Sequence, residues 1–100
     1  MSITVRIEDE DGSPQADTWW QSDSSAILVG DHPGTCCLRF IDAYGDTVFN
    51  QAQLPVLVDE LRALQAGLRN RDHAFALAAL CEFIESAIDQ VHTYVRFLGD

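Results

Sequence analysis

The apolar residues of this chain change period twice, and that change constrains the fold more than any single motif. Ser2 to Glu8 alternates, with Ile3, Val5 and Ile7 on one side and Thr4, Arg6 and Glu8 on the other. That is the pattern of a half-buried strand. From Leu54 the spacing becomes helical, through Leu57, Val58, Leu61, Leu64 and Leu68, with Pro55 tolerated in the first turn. A second helix follows a short turn at Asn70–Asp72 and turns Ala74, Leu77, Ala78, Cys81, Ile84 and Ile88 inward. Val91 to Leu98 alternates again, as a final strand.

Between the first strand and the helices the punctuation is dense. Asp11-Gly12 and Ser13-Pro14 mark a turn, and Ala16 to Gln21 reads as a return strand. Ser25 to Val29 reads as a short apolar strand closed by Gly30 to Gly34. Cys36 to Ile41 and Thr47 to Phe49 read as a hairpin around Asp42 to Asp46, with Gly45 at a positive-φ position. The expected fold is a single α+β domain over residues 1–100. It has an antiparallel sheet of about four to five strands, and two helices pack as an αα-hairpin on one face. The final strand returns to the sheet.

Leu38-Arg39-Phe40-Ile41-Asp42, then Tyr44-Gly45-Asp46-Thr47-Val48-Phe49-Asn50, then Gln53 and Pro55, resembles a signature of small, mostly uncharacterised bacterial proteins. The likeness is clearest over residues 36–64 and looser at His92-Thr93-Tyr94 and Phe97 to Asp100. The pattern often has Pro where Ala43 stands, so this turn is less rigid. The resemblance implies a compact single-domain fold and carries no activity.

Charge narrows the partners. The net charge is −10, which opposes binding to nucleic acid or to an anionic membrane through a basic surface. Residues 1–50 hold nine acids and two Arg, a net of −7. Residues 51–100 hold seven acids and four Arg, a net of −3. Every cation is Arg. Three cysteines, Cys36, Cys37 and Cys81, form no even framework of disulfides, which suits a reduced, cytoplasmic setting. The opening residues lack the basic and apolar regions of a signal peptide, and the longest apolar run is too short to span a bilayer.

Two constellations stand out. No Arg or Lys separates Arg6 from Arg39, and the acidic stretch between them holds Trp19 and Trp20, flanked by Asp17 and Asp23. Carboxylates steer a basic partner and Trp anchors it, with Tyr44 as a further anchor. This points to a non-enzymatic interaction protein, of immunity or antitoxin type, against a basic protein. The alternative is an anion or catalytic site on the open sheet face, built from Arg6, Arg39, His92, Tyr94 and Arg96. Cross-strand pairing with Glu8, Asp42 or Asp46 would neutralise that patch. A third reading is a homodimer that buries the same face through Ile41 and Leu98.

Other features read as ordinary surface. Glu82, Glu85 and Asp89 share a face of the second helix, as a solvated row. His32, His73 and His92 show no metal spacing, and Asp9 to Ser13 lacks a calcium-loop pattern. No cofactor is implied, and no nucleophile elbow or phosphate-binding loop is present.

Overall fold

The structure, a computed structural model, describes residues 2–99, with the side chains of 16–19 and 21–23 outside the described set. Strand β1 (Ile3–Glu8) follows the alternation: Ile3, Val5 and Ile7 are buried, Thr4 and Arg6 half-buried. The Asp9 carboxylate accepts the N–H of Asp11 and of Ser13, both at 2.9 Å. Gly12 takes a φ of 80°, open to a residue without Cβ. These contacts reverse the chain into β2 (Pro14–Ser22), longer than the expected strand.

The sheet has four strands in the order β2-β1-β4-β3, where β3 is Asp46–Phe49 and β4 is Tyr94–Leu98. All neighbours are antiparallel, with a register shift between Arg6 and Glu8 in the β1–β2 pair. The last strand therefore returns to the centre of the sheet, beside the first. It begins at Tyr94 and not at Val91, because His92 adopts a left-handed φ of 59° and breaks the extended run.

Helices α1 (Leu54–Ala66) and α2 (Arg71–Ile88) form the αα-hairpin. Asn50 and Gln53 brace the start of α1 reciprocally. The Gln53 Oε1 accepts the Asn50 N–H at 2.9 Å, and the Asn50 Oδ1 accepts the Gln53 N–H at 3.0 Å. The Asn70 Oδ1 caps α2 by accepting from Asp72 and His73. Leu54, Leu57, Val58 and Leu61 of α1 are buried with Leu77, Leu80, Cys81, Ile84 and Ala87 of α2. Ala74, Ala78 and Ile88, expected inward, are only half-buried, so the inner face of α2 is rotated toward Leu80 and Ala87. The sheet supplies Val5, Ile7, Val95 and an edge-to-face pair, Phe49 and Phe97, with centroids 5.7 Å apart.

Two expected strands are not strands. Asp23–Ile27 is a 3-10 turn. There the Ser25 hydroxyl binds the backbone of Ile3, accepting its N–H at 2.9 Å and donating to its C=O at 3.3 Å. The Leu28 N–H closes on the Ser25 C=O at 3.0 Å, a local bond where a ladder would need a neighbour. The segment Cys36–Ile41 forms a 3-10 turn at Leu38–Phe40, so no hairpin joins it to β3. Phe40 and Ile41 bond back to the Cys37 and Leu38 carbonyls within the turn, and other backbone groups bond to side chains from elsewhere. The Glu60 carboxylate on α1 accepts the N–H of Cys36, Cys37 and Leu38 at 2.5, 2.9 and 3.1 Å. The Thr47 hydroxyl accepts the Asp42 N–H and donates to the Phe40 C=O. Gly45 is not a positive-φ position; the positive-φ glycines are Gly12, Gly30 and Gly34.

Candidate interaction surface

The register places Thr4, Arg6, Tyr94, Arg96 and Val48 on the sheet face away from the helices. Glu8 stands on that face too, yet it is only 1% exposed. The Arg96 Nε donates to both of its oxygens, at 3.0 and 2.9 Å, and the Arg6 Nε donates to Oε2. Arg96 also reaches the Asp46 carboxylate with Nη1 at 3.1 Å. These bonds to Glu8 and Asp46 hold the Arg96 guanidinium further into the protonated range. The strand arginines are thus matched by carboxylates of the same sheet.

Of the five residues proposed for an anion site, the sheet gathers Arg6, Tyr94 and Arg96. Arg39 is not on a strand. It lies on the exposed 3-10 turn, with its guanidinium carbon 4.8 Å from the centre of the Phe40 ring. His92 is in the turn before β4, where alternation no longer sets its side; its Nδ1 lies 3.3 Å from a Glu10 oxygen. The face does not bring Arg39 or His92 to Arg96 as strand neighbours.

The acidic Trp segment divides. The register sets Trp19 opposite Arg6 and Trp20 opposite Val5. Trp20 is half-buried and packs against the core. The side chains of Asp17, Trp19 and Asp23 lie outside the described residues. Tyr44 is 82% exposed, and Phe40, in a segment whose composition reads as a strand, is 59% exposed. Both belong to the segment that Thr47 holds against β3. Val48 adds a third exposed apolar side chain on β3 itself. Ile41, expected on an open face, is buried.

Remaining candidates are held in structural contacts. Glu85 pairs with Arg62 across the two helices, and Glu82 and Asp89 are exposed. His73 Nδ1 sits 2.8 Å from the Ser24 hydroxyl, and His32 Nε2 lies 3.2 Å from the Leu28 carbonyl oxygen. Among the described residues no group of three His, Cys, Asp or Glu is arranged to hold a metal ion. All three cysteines are free. Burial pushes the Cys37 thiol up, and the Glu60 carboxylate adds to this. Burial also pushes Cys81 up, so both resist forming the thiolate a nucleophile needs.

A cavity of about 420 Å³ lies between residues 31–35 and α1, lined in part by His32, Leu38, Glu60 and Leu64. Burial raises the Glu60 carboxyl, but three backbone N–H groups outweigh it and hold the group below its ordinary range. This carboxylate is therefore a brace for the 36–38 backbone, a role its distance in sequence concealed. Among the described residues no helix is long and apolar enough to cross a membrane. Comparison with protein-family models, with curated proteins and with solved structures returns no match.

Proposed function

We propose that the chain is a non-enzymatic protein-interaction module that binds a basic partner protein. The observation that carries this reading is the exposure of Phe40 and Tyr44 together, beside β3, on a chain of net charge −10. Large aromatics held in water at that exposure are anchors waiting for a partner's pocket. The surplus carboxylates would speed encounter with a basic surface. Tyr44 is an anchor the sequence also suggests, Phe40 is an added one, and Trp20 packs against the core instead. An immunity protein or antitoxin that covers a basic toxin fits the same physics, and three free thiols suit a cytoplasmic setting. The anion-site reading draws less support, because Glu8 and Asp46 already neutralise the strand arginines.

The test is capture from the native host at low salt, with wild type and a Phe40→Ala/Tyr44→Ala variant shown to be folded. The expected result is a basic protein retained by the wild type, lost from the variant and released as ionic strength rises. Retention of the same protein by the folded variant, or capture insensitive to salt, would overturn the reading.

A further inference from the structure

We propose that the partner contributes an extended basic segment, which adds as a fifth strand to the free edge of β3. This rests on the interaction reading above and gives it a geometry. The Gly99 N–H donates to the Gly45 C=O at 2.8 Å, so Gly45 bonds toward β4. In an antiparallel pair the residues alternate between bonding inward and outward. Thr47 and Phe49 therefore also bond toward β4, and Asp46 and Val48 aim their N–H and C=O away from it. The edge stops at Asn50, whose N–H and C=O are both taken by Gln53. Among the described residues no strand lies beyond β3.

The two edges of the sheet are treated differently. β2 opens with Pro14 and its pairing is irregular, both of which discourage a further strand. β3 carries neither Lys nor Pro, its register with β4 is unbroken, and Val48 is 42% exposed. Its one charged residue, Asp46, is drawn back across the sheet to Arg96. Unpaired backbone groups are directional, and a strand is the shape that satisfies them.

Charge selects the occupant. A second copy would bring another net −10. A basic segment meets attraction instead. On the open-face side of Val48 lies a cavity of about 190 Å³ lined by Asp9, Glu10 and Tyr94 and also by Arg96, whose charge Glu8 and Asp46 match. A Lys or Arg opposite Val48 can lay its stem over Val48 and Tyr94 with its charge toward Asp9 and Glu10. Alternate residues of the added strand then face the side where Thr47 holds the Phe40 backbone, and apolar side chains suit that side.

The test uses 15N-labelled protein and a synthetic probe, an acetylated and amidated hexapeptide of alternating Arg and Val, with an alternating Arg and Pro hexapeptide as control. Amide exchange is followed by NMR at low salt. The expected result is that the Val48 and Asp46 amides slow by about ten-fold or more with the Arg/Val probe and not with the control. Val48→Pro removes only an outward N–H and should abolish the effect. Val48→Lys, a like charge on the edge, should weaken it about ten-fold and serves if the proline variant does not fold. Failure of the Arg/Val probe to bind, or binding that leaves those two amides unchanged, would overturn the strand-addition geometry. So would a dimer in which the same amides are protected without probe. A captured basic protein that leaves these amides unprotected would sink this geometry while the interaction reading stands.

Discussion

Arg96 grips both oxygens of Glu8 at 3.0 and 2.9 Å across 88 positions of sequence, on the sheet face that the helices leave uncovered. Arg6 shares the same carboxylate. Removing Glu8 therefore takes a buried carboxylate from two guanidinium groups at once, although Arg96 keeps its bond to Asp46. Glu8→Ala is expected to lower stability by about 3 kcal/mol, and Glu8→Gln by less, since its amide oxygen can still accept. Urea unfolding checks this, with the midpoint moving and the slope held constant.

Glu60 gives the fold an acid sensitivity of known sign. Its carboxyl titrates below the ordinary value of 4.5 because the N–H groups of Cys36, Cys37 and Leu38 favour the charged form. The contribution is full above about pH 4.5 and drains away as the pH falls through the lower folded value. Stability measured from neutral to acid pH should show a constant gap between wild type and Glu60→Gln above pH 4.5. The gap should close below it, and a gap that widened in acid would contradict the assignment. At neutral pH, Glu60→Ala should cost about 2 kcal/mol by orphaning the three donors.

Two glycines make a matched pair of expectations. A Cβ on Gly99 would stand 2.6 Å from the Asp42 carbonyl oxygen and 2.7 Å from the Ala43 carbonyl, all backbone. Gly99→Ala should therefore destabilise by about 1–3 kcal/mol through overpacking. Gly67, with a φ of −88°, has nothing nearer than 3.7 Å. Gly67→Ala should be neutral or stabilise by up to about 1 kcal/mol. Thermal melts of the two variants separate these outcomes directly.

The cap of α2 can be weighed in isolation. Asn70→Ala leaves the Asp72 and His73 N–H groups without their side-chain acceptor and should cost about 1 kcal/mol. Asn70→Ser or Asn70→Asp should restore most of it. Urea midpoints for the three variants test the ranking, and equal losses in all three would refute a capping role.

Where the bonding partner is near in sequence or periodic, the chain announces its own structure. Ile3, Val5 and Ile7 mark β1, the leucines of α1 mark its buried face, and the return of alternation marks β4. The α+β class and the returning strand follow from those periods alone. Cys36–Ile41 deceived because its β-like composition is overridden by Glu60, which lies 24 residues away from Cys36. His92 deceived because one left-handed residue ends an alternation that composition would continue. Phe40 escaped notice for the first of these reasons: without a ladder to join, its ring stays in water. Arg6 and Arg96 were foreseen on one face, and so was the possibility that carboxylates would match them.

The pairing of β1 with β4 bears on how the protein is made. At the ribosome, Val5 and Ile7 wait until Phe97 and Val95, their partners in the register, have been made. Until β4 has cleared the exit tunnel, β1 has β2 on one flank and a raw edge on the other, and β3 has no strand to join. The helical hairpin can form early from local contacts, but the sheet can close only as the last strand slides between β1 and β3. A nascent chain stalled before Tyr94 would present two more open edges than the finished sheet, on β1 and on β3, a state that invites chaperones and proteases.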